Sequence, residues 1–159
     1  MRVKGRLLSS LCAAAILFGS GAAHAVEIKN VSPRFFDRAD FQSLSEYFGA
    51  EEEQGNRLIL RSVAERRDGL YFVVDLDQPV TALPDGAEVV LDIVDATAAT
   101  RSLSFPLADA DRPVHRLLVG LTGDDWPTPG ASALAWRVSI RGPEGHVISE
   151  AKSFLWEMP

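Results

Sequence analysis

Apolar side chains alternate with polar ones at every second position, in one segment after another between turn residues. This pattern constrains the chain more than any other feature. Leu134, Trp136, Val138 and Ile140 interleave with Ala135, Arg137, Ser139 and Arg141. A period of two puts one set on each face of an extended strand. Leu70, Phe72, Val74 and Leu76 alternate in the same way with Tyr71, Val73 and Asp75. Val89, Leu91 and Ile93 form an inward face with Glu88 and Asp92 outward, and Leu103, Phe105 and Leu107 alternate with Ser102 and Ser104. Residues 57–61 and 114–121 supply two further strands. Leu83-Pro84-Asp85-Gly86 and Gly142-Pro143-Glu144-Gly145 read as turns, with Pro fixing φ and Gly supplying a positive one. The second predicts an antiparallel hairpin that returns over 146–149 and continues over 153–156. No helix-length segment separates these strands, so a sandwich or barrel is expected and a parallel α/β sheet is disfavoured. The chain shows no internal repeat or low-complexity tract.

The first 25 residues have a different character. Residues 1–6 (MRVKGR) carry three positive charges and no acid, and residues 7–18 are apolar apart from Ser9 and Ser10. Gly19-Ser20-Gly21 ends that run and Ala23-His24-Ala25 follows. In this order the segments read as a secretory leader cleaved before Val26. Residues 7–23, rich in Ser, Gly and Ala, are short for a membrane span. Ser9-Ser10-Leu11 is the wrong context for lipid attachment at Cys12. The expected location is the periplasm or the extracellular space.

Cleavage changes the charge and the cysteine content. Lys+Arg falls from 16 to 13 against 22 acids, a formal net charge of −9. A domain this acidic repels nucleic acid and anionic lipid, so neither is expected as a partner. Cys12 is the single cysteine and leaves with the leader. The mature chain is therefore expected to have no disulfide, thiolate metal site or cysteine nucleophile. No later apolar run approaches the ~18 residues that would span a bilayer.

Residues 26–56 are of mixed pattern. Val26-Glu27-Ile28-Lys29 alternates as a short strand. Phe41, Leu44 and Phe48 sit at helical spacing behind Asp40, a candidate N-cap, and Gly49 is a natural stop. Phe35, Phe36, Phe41, Tyr47 and Phe48 must cover the domain or present an apolar surface, and packing on the domain is the expectation. Phe41 and Tyr47 are the candidate partner-binding residues should that surface be exposed. The expected organisation is a leader over 1–25, a packing segment over 26–56 and a β-sandwich over 57–159.

The closing portion, PGASALAWRVSIRGPEGHVISEAKSFLW, resembles the last strands of bacterial immunoglobulin-like or fibronectin-type-III-like domains. In those, a Pro/Gly turn precedes a strand with a buried aromatic, and a Gly-containing hairpin leads to the final strand. Trp136 stands at the aromatic position, without a cysteine pair or a tyrosine corner. The resemblance implies an all-β, antiparallel immunoglobulin-like sandwich of seven to eight strands with a short N-terminal helical or irregular segment. It favours a binding or structural role over catalysis, by analogy of fold alone.

Residues able to do chemistry are sparse. His115 and His146, the two histidines beyond the leader, have no second histidine or carboxylate at metal or triad spacing. No G-x-S-x-G, H-E-x-x-H or phosphate-binding glycine loop occurs. Asp75 with Asp77, Asp109 with Asp111, and Asp124 with Asp125 are acidic pairs, but none fits a calcium loop. No metal or cofactor is expected. Trp126, in the loop GDDWP, is the best-placed aromatic for a sugar platform, with Asp124 and Asp125 able to accept hydrogen bonds from hydroxyls; folding back as a lid over the sandwich end is its alternative. Three functions follow. The first is a secreted or periplasmic non-enzymatic module that binds protein as an accessory or structural envelope component. The second is a carbohydrate-binding module using Trp126, Asp124 and Asp125. The third is a hydrolase with a dispersed site.

Overall fold

The computed structural model describes residues 25–37, 39–40, 57–107, 112–126 and 132–157. Among these residues the chain forms eight strands: β1 (Ile28–Phe36), β2 (Leu58–Arg61), β3 (Gly69–Leu76), β4 (Glu88–Val94), β5 (Thr100–Pro106), β6 (Arg116–Thr122), β7 (Ala135–Arg141) and β8 (Val147–Lys152). They build two four-stranded sheets, ordered β1-β3-β6-β2 and β5-β4-β7-β8. The protein is an all-β sandwich.

The alternation sorts side chains as the physics requires. Leu70, Phe72, Val74 and Leu76 of β3 meet Val89, Leu91 and Ile93 of β4, with Leu117, Val119 and Leu121 from β6 and Val138 and Ile140 from β7, in one buried core. Each such side chain, fully removed from water, contributes about 1.5–3 kcal/mol. Every strand pair is antiparallel except β2 with β6, where Leu58 lies opposite Leu117 and Arg61 opposite Gly120 in parallel. The expected turn forms one residue later, over 84–87: the Ala87 N–H donates to the Pro84 carbonyl at 3.1 Å, and Gly86 has φ +79°.

Three expectations are corrected. The sandwich does not begin at Arg57, because β1 pairs with β3 along its length and is an integral edge strand, far longer than the four residues read from the alternation. A register shift between Ile28 and Asn30 interrupts its period, and Pro33 fits because an edge strand need not donate at every position. Asp40 is not the helix N-cap. The Asp40 N–H donates to Asp37 Oδ1 at 2.9 Å while the Asp37 N–H donates to Asp40 Oδ2 at 2.8 Å, a reciprocal capping arrangement with Asp37 as the cap of helical residues 39–40. Finally, the chain after β8 is not strand. Ser153 Oγ accepts the Trp136 N–H at 3.0 Å and Phe154–Glu157 closes into a short 3-10 turn.

The outer faces of the two sheets differ. On the β4–β7 sheet, Asp92 accepts from Arg137 Nε and Nη2 at 3.0 and 2.8 Å, and Glu88 accepts from the Ser104 hydroxyl. On the β3–β6 sheet, Tyr71 and Leu118 form a second apolar cluster with Phe36, Ile59 and Val73. The Tyr71 hydroxyl donates to the Arg67 carbonyl at 2.7 Å and accepts from Arg61 Nε at 3.0 Å, so this fully buried phenol is satisfied.

Candidate functional site

The GDDWP loop is built from the end of β6. Thr122 is buried, and its Oγ1 accepts the Val63 N–H at 3.0 Å and donates to the Val63 carbonyl at 2.9 Å. The Thr122 N–H in turn donates to Ser62 Oγ at 3.0 Å. These bonds fasten the strand end to the segment after β2, and Gly123–Asp125 then forms a 3-10 turn. Asp124 is exposed and Asp125 half-buried. Arg101 reaches across from β5, and its Nη2 donates to the Asp125 carbonyl at 2.7 Å.

Trp126 follows and turns inward. It is 7% exposed and belongs to the main core. The three residues Trp126, Asp124 and Asp125 are neighbours at one end of the sandwich, but only the acids face water. A ring used as a sugar platform needs an open face, and this one is spent on packing. Its Nε1 has no hydrogen-bond partner among the described residues.

Phe41 and Tyr47, the candidate partner-binding residues, lie outside the described residues, as do Asp109 and Asp111. His115 and His146 are both exposed. Asp75 accepts from Arg116 Nε at 2.6 Å, whereas Asp77 Oδ1 accepts the Glu27 N–H at 2.6 Å, so this acidic pair is divided between two separate structural jobs. The Glu27 amide, favouring the charged form, holds the Asp77 carboxyl below the usual carboxylate range. No group of three or more His, Cys, Asp or Glu converges among the described residues.

Among the described residues, two hollows border the core. One of about 470 Å³ lies under the turn after β3 and is lined by Val80, Leu83, Asp85 and Leu107 among others. A second of about 400 Å³ opens between residues 59–62 of β2 and its following turn and residues 103–106 of β5. Neither includes His115 or His146.

One surface was missed by reading the alternation. Leu134, Phe154 and Leu155 are 48, 80 and 52% exposed. Antiparallel pairing places Arg137 opposite Lys152, so the beginning of β7 and the turn after β8 share one end of the sheet. The Ser153 N–H donates to the Trp136 carbonyl at 2.8 Å and holds the turn there. Lys152 Nζ bonds Glu157 at 2.7 Å, which raises the lysine pKa, and the Arg137 guanidinium lies 5.0 Å over the Trp156 ring. The turn is thus anchored through Trp156 and Glu157 while it presents Phe154 and Leu155 outward. The run Ser153-Phe154-Leu155-Trp156 was the available signal, but it reads equally as strand.

Comparison with protein-family models, with curated proteins and with solved structures finds no match for this chain.

Proposed function

We propose that the protein is an exported, non-enzymatic β-sandwich module that binds a protein of the cell envelope as an accessory or structural component. The observation that carries this reading is the exposed apolar group Leu134, Phe154 and Leu155 at the end of the sheet that has β8 as its edge strand. Exposed apolar side chains held on an anchored turn, beside an edge strand, are the parts from which protein interfaces are made. The leader read in residues 1–25 supplies the route of export.

The strand order supports an immunoglobulin-like or fibronectin-type-III-like lineage. With β1, β3 and β6 as A, B and E, and β5, β4, β7 and β8 as C′, C, F and G, seven strands follow the order of that sandwich. The departure is β2, which occupies the position beside E but precedes B in the chain. The carbohydrate-binding alternative is weakened by the burial of Trp126.

A photoreactive amino acid at position 154, with the same group at Glu144 as a control, tests the reading in living cells. The expected result is one protein adduct from position 154 alone, lost on Leu155→Asp while the purified variant melts as before. Equal adducts from both positions, or glycan recovered instead and lost on Trp126→Ala, would overturn it.

A further inference from the structure

Among the described residues four strands form sheet edges, β1 and β2 in one sheet and β5 and β8 in the other. Pro33 in β1 and Pro106 in β5 each remove a backbone donor, and β2 is only four residues long. β8 has neither form of protection against pairing with a further strand. The hydrogen bond that β1 sends to it, from the Ile28 N–H, ends on the Ser149 side chain.

The ladder with β7 fixes which backbone groups of β8 point to its edge. The Ser153 N–H donates to the Trp136 carbonyl, while Val138 lies opposite Ala151 and Ile140 opposite Ser149. In an antiparallel pair alternate residues bond the neighbouring strand. Ser149, Ala151 and Ser153 therefore direct their backbone groups to β7, and Glu150 and Lys152 direct theirs away from it. The side chains of Glu150 and Lys152 are exposed as well. Each has a neighbour within the chain, Arg137 at 3.9 Å for Glu150 and Glu157 at 2.7 Å for Lys152.

Charge then selects the occupant of this edge. Opposite charges directly across a strand pair are favourable and like charges are destabilising. A second, antiparallel copy of β8 with Ala151 on the twofold axis sets Glu150 of each copy opposite Lys152 of the other. Both residues direct their backbone groups outward, as a hydrogen-bonded pair requires. An axis at Glu150 or at Lys152 would set like charges face to face, and one at Ser149 would leave Glu150 opposite Ile148. The same register matches the apolar groups. Val147 and Leu155 stand four residues before and four after Ala151, and they are 51 and 52% exposed, beside Phe154 at 80%. The end of one strand that presents Phe154 and Leu155 thus meets the end of the other that presents Val147.

We infer that β8 is a self-recognition edge, at which two copies of this chain join by antiparallel β8–β8 pairing centred on Ala151. The pairing is isologous, so each contact occurs twice, and it merges two four-stranded sheets into one continuous sheet. The inference rests on the reading that this end of the sheet binds a protein, and it names that protein as a second copy.

The test is sedimentation of the purified chain over a concentration series, with a dimer as the expected species. Glu150→Lys and Lys152→Glu should each weaken the dimer on the order of tenfold, because the twofold axis counts every facing pair twice. Mixing the two variants should restore it, since Lys at 150 and 152 of one copy then faces Glu at 152 and 150 of the other. An effect confined to each monomer would not be repaired by mixing. A photoreactive amino acid at position 147 gives a second reading without any charge reversal: the expected product has twice the chain mass and joins position 147 to the peptide holding Phe154 and Leu155. A monomer at every concentration, a dimer indifferent to both reversals, or variants that mixing does not rescue overturns the inference. If a monomer is found while position 154 captures one different protein in cells, the self-pairing falls and the proposed function stands. No protein adduct from position 154 removes both.

Discussion

The ring of Tyr71 lies on the α-carbon of Gly120, its partner across the β3–β6 ladder. Any side chain at 120 would run into that ring, while Phe36 packs edge-on against it at 5.5 Å. Gly120→Ala is therefore expected to cost about 1–3 kcal/mol through overpacking. In a Tyr71→Ser background the same change should cost far less. Urea unfolding of the four chains gives the coupling, and full additivity would show that the ring does not need the glycine.

Asp92 and Arg137 make a two-pronged bond in which the Asp92 side chain is only 10% exposed. Asp92→Ala is expected to lower stability by on the order of 2 kcal/mol, in the range for a hydrogen bond to a charged group. Arg137→Ala should also uncover Trp156, over which the guanidinium sits. A red-shifted tryptophan emission for Arg137→Ala but not for Arg116→Ala is the measurement.

Trp126→Ala removes a core side chain, not a surface one. The expected loss is about 3–5 kcal/mol, as for other buried aromatics, with a lower melting temperature whether or not any sugar is present. A variant as stable as the parent would place the ring outside the core and restore the sugar platform.

Acid should loosen the start of β1. The Asp77 pKa is depressed in the folded chain, so its contribution is present above the unfolded value, about 3.9, and is lost as pH falls through the lower folded value. Asp95 is depressed as well, by bonds from the Thr97 hydroxyl and amide, and acts in the same window. Denaturation midpoints followed from about pH 6 to about pH 2 should fall less steeply for Asp77→Asn than for the parent. Parallel curves would remove Asp77 from the account.

Most strands were legible because one face of each is buried and a period of two is the direct imprint of that burial. The parts that were not legible depend on distant partners. β1 was read too short because its register shift and Pro33 break the period, and only pairing with β3 reveals it. The parallel direction of β2 belongs to its pairing with β6, to which four residues bear no witness. Trp126 is placed by the core it enters and by the turn before it, which Arg101 and the Thr122–Val63 bonds hold from elsewhere in the fold. Phe154 and Leu155 have good strand formers around them, yet pairing stops where the Ser153 side chain takes the Trp136 amide. No spacing rule carries that information.

The Ile28 N–H donates to Ser149 Oγ at 3.0 Å, joining the first strand to the last across 121 residues. Contacts so far apart in the chain carry a large loop-closure penalty and slow folding. This seam therefore cannot form before β8 has been made. An incomplete chain lacks β8 and leaves β7 as an unprotected edge, a template for association with its neighbours. A nascent chain is therefore best kept apart from other copies until β8 has emerged.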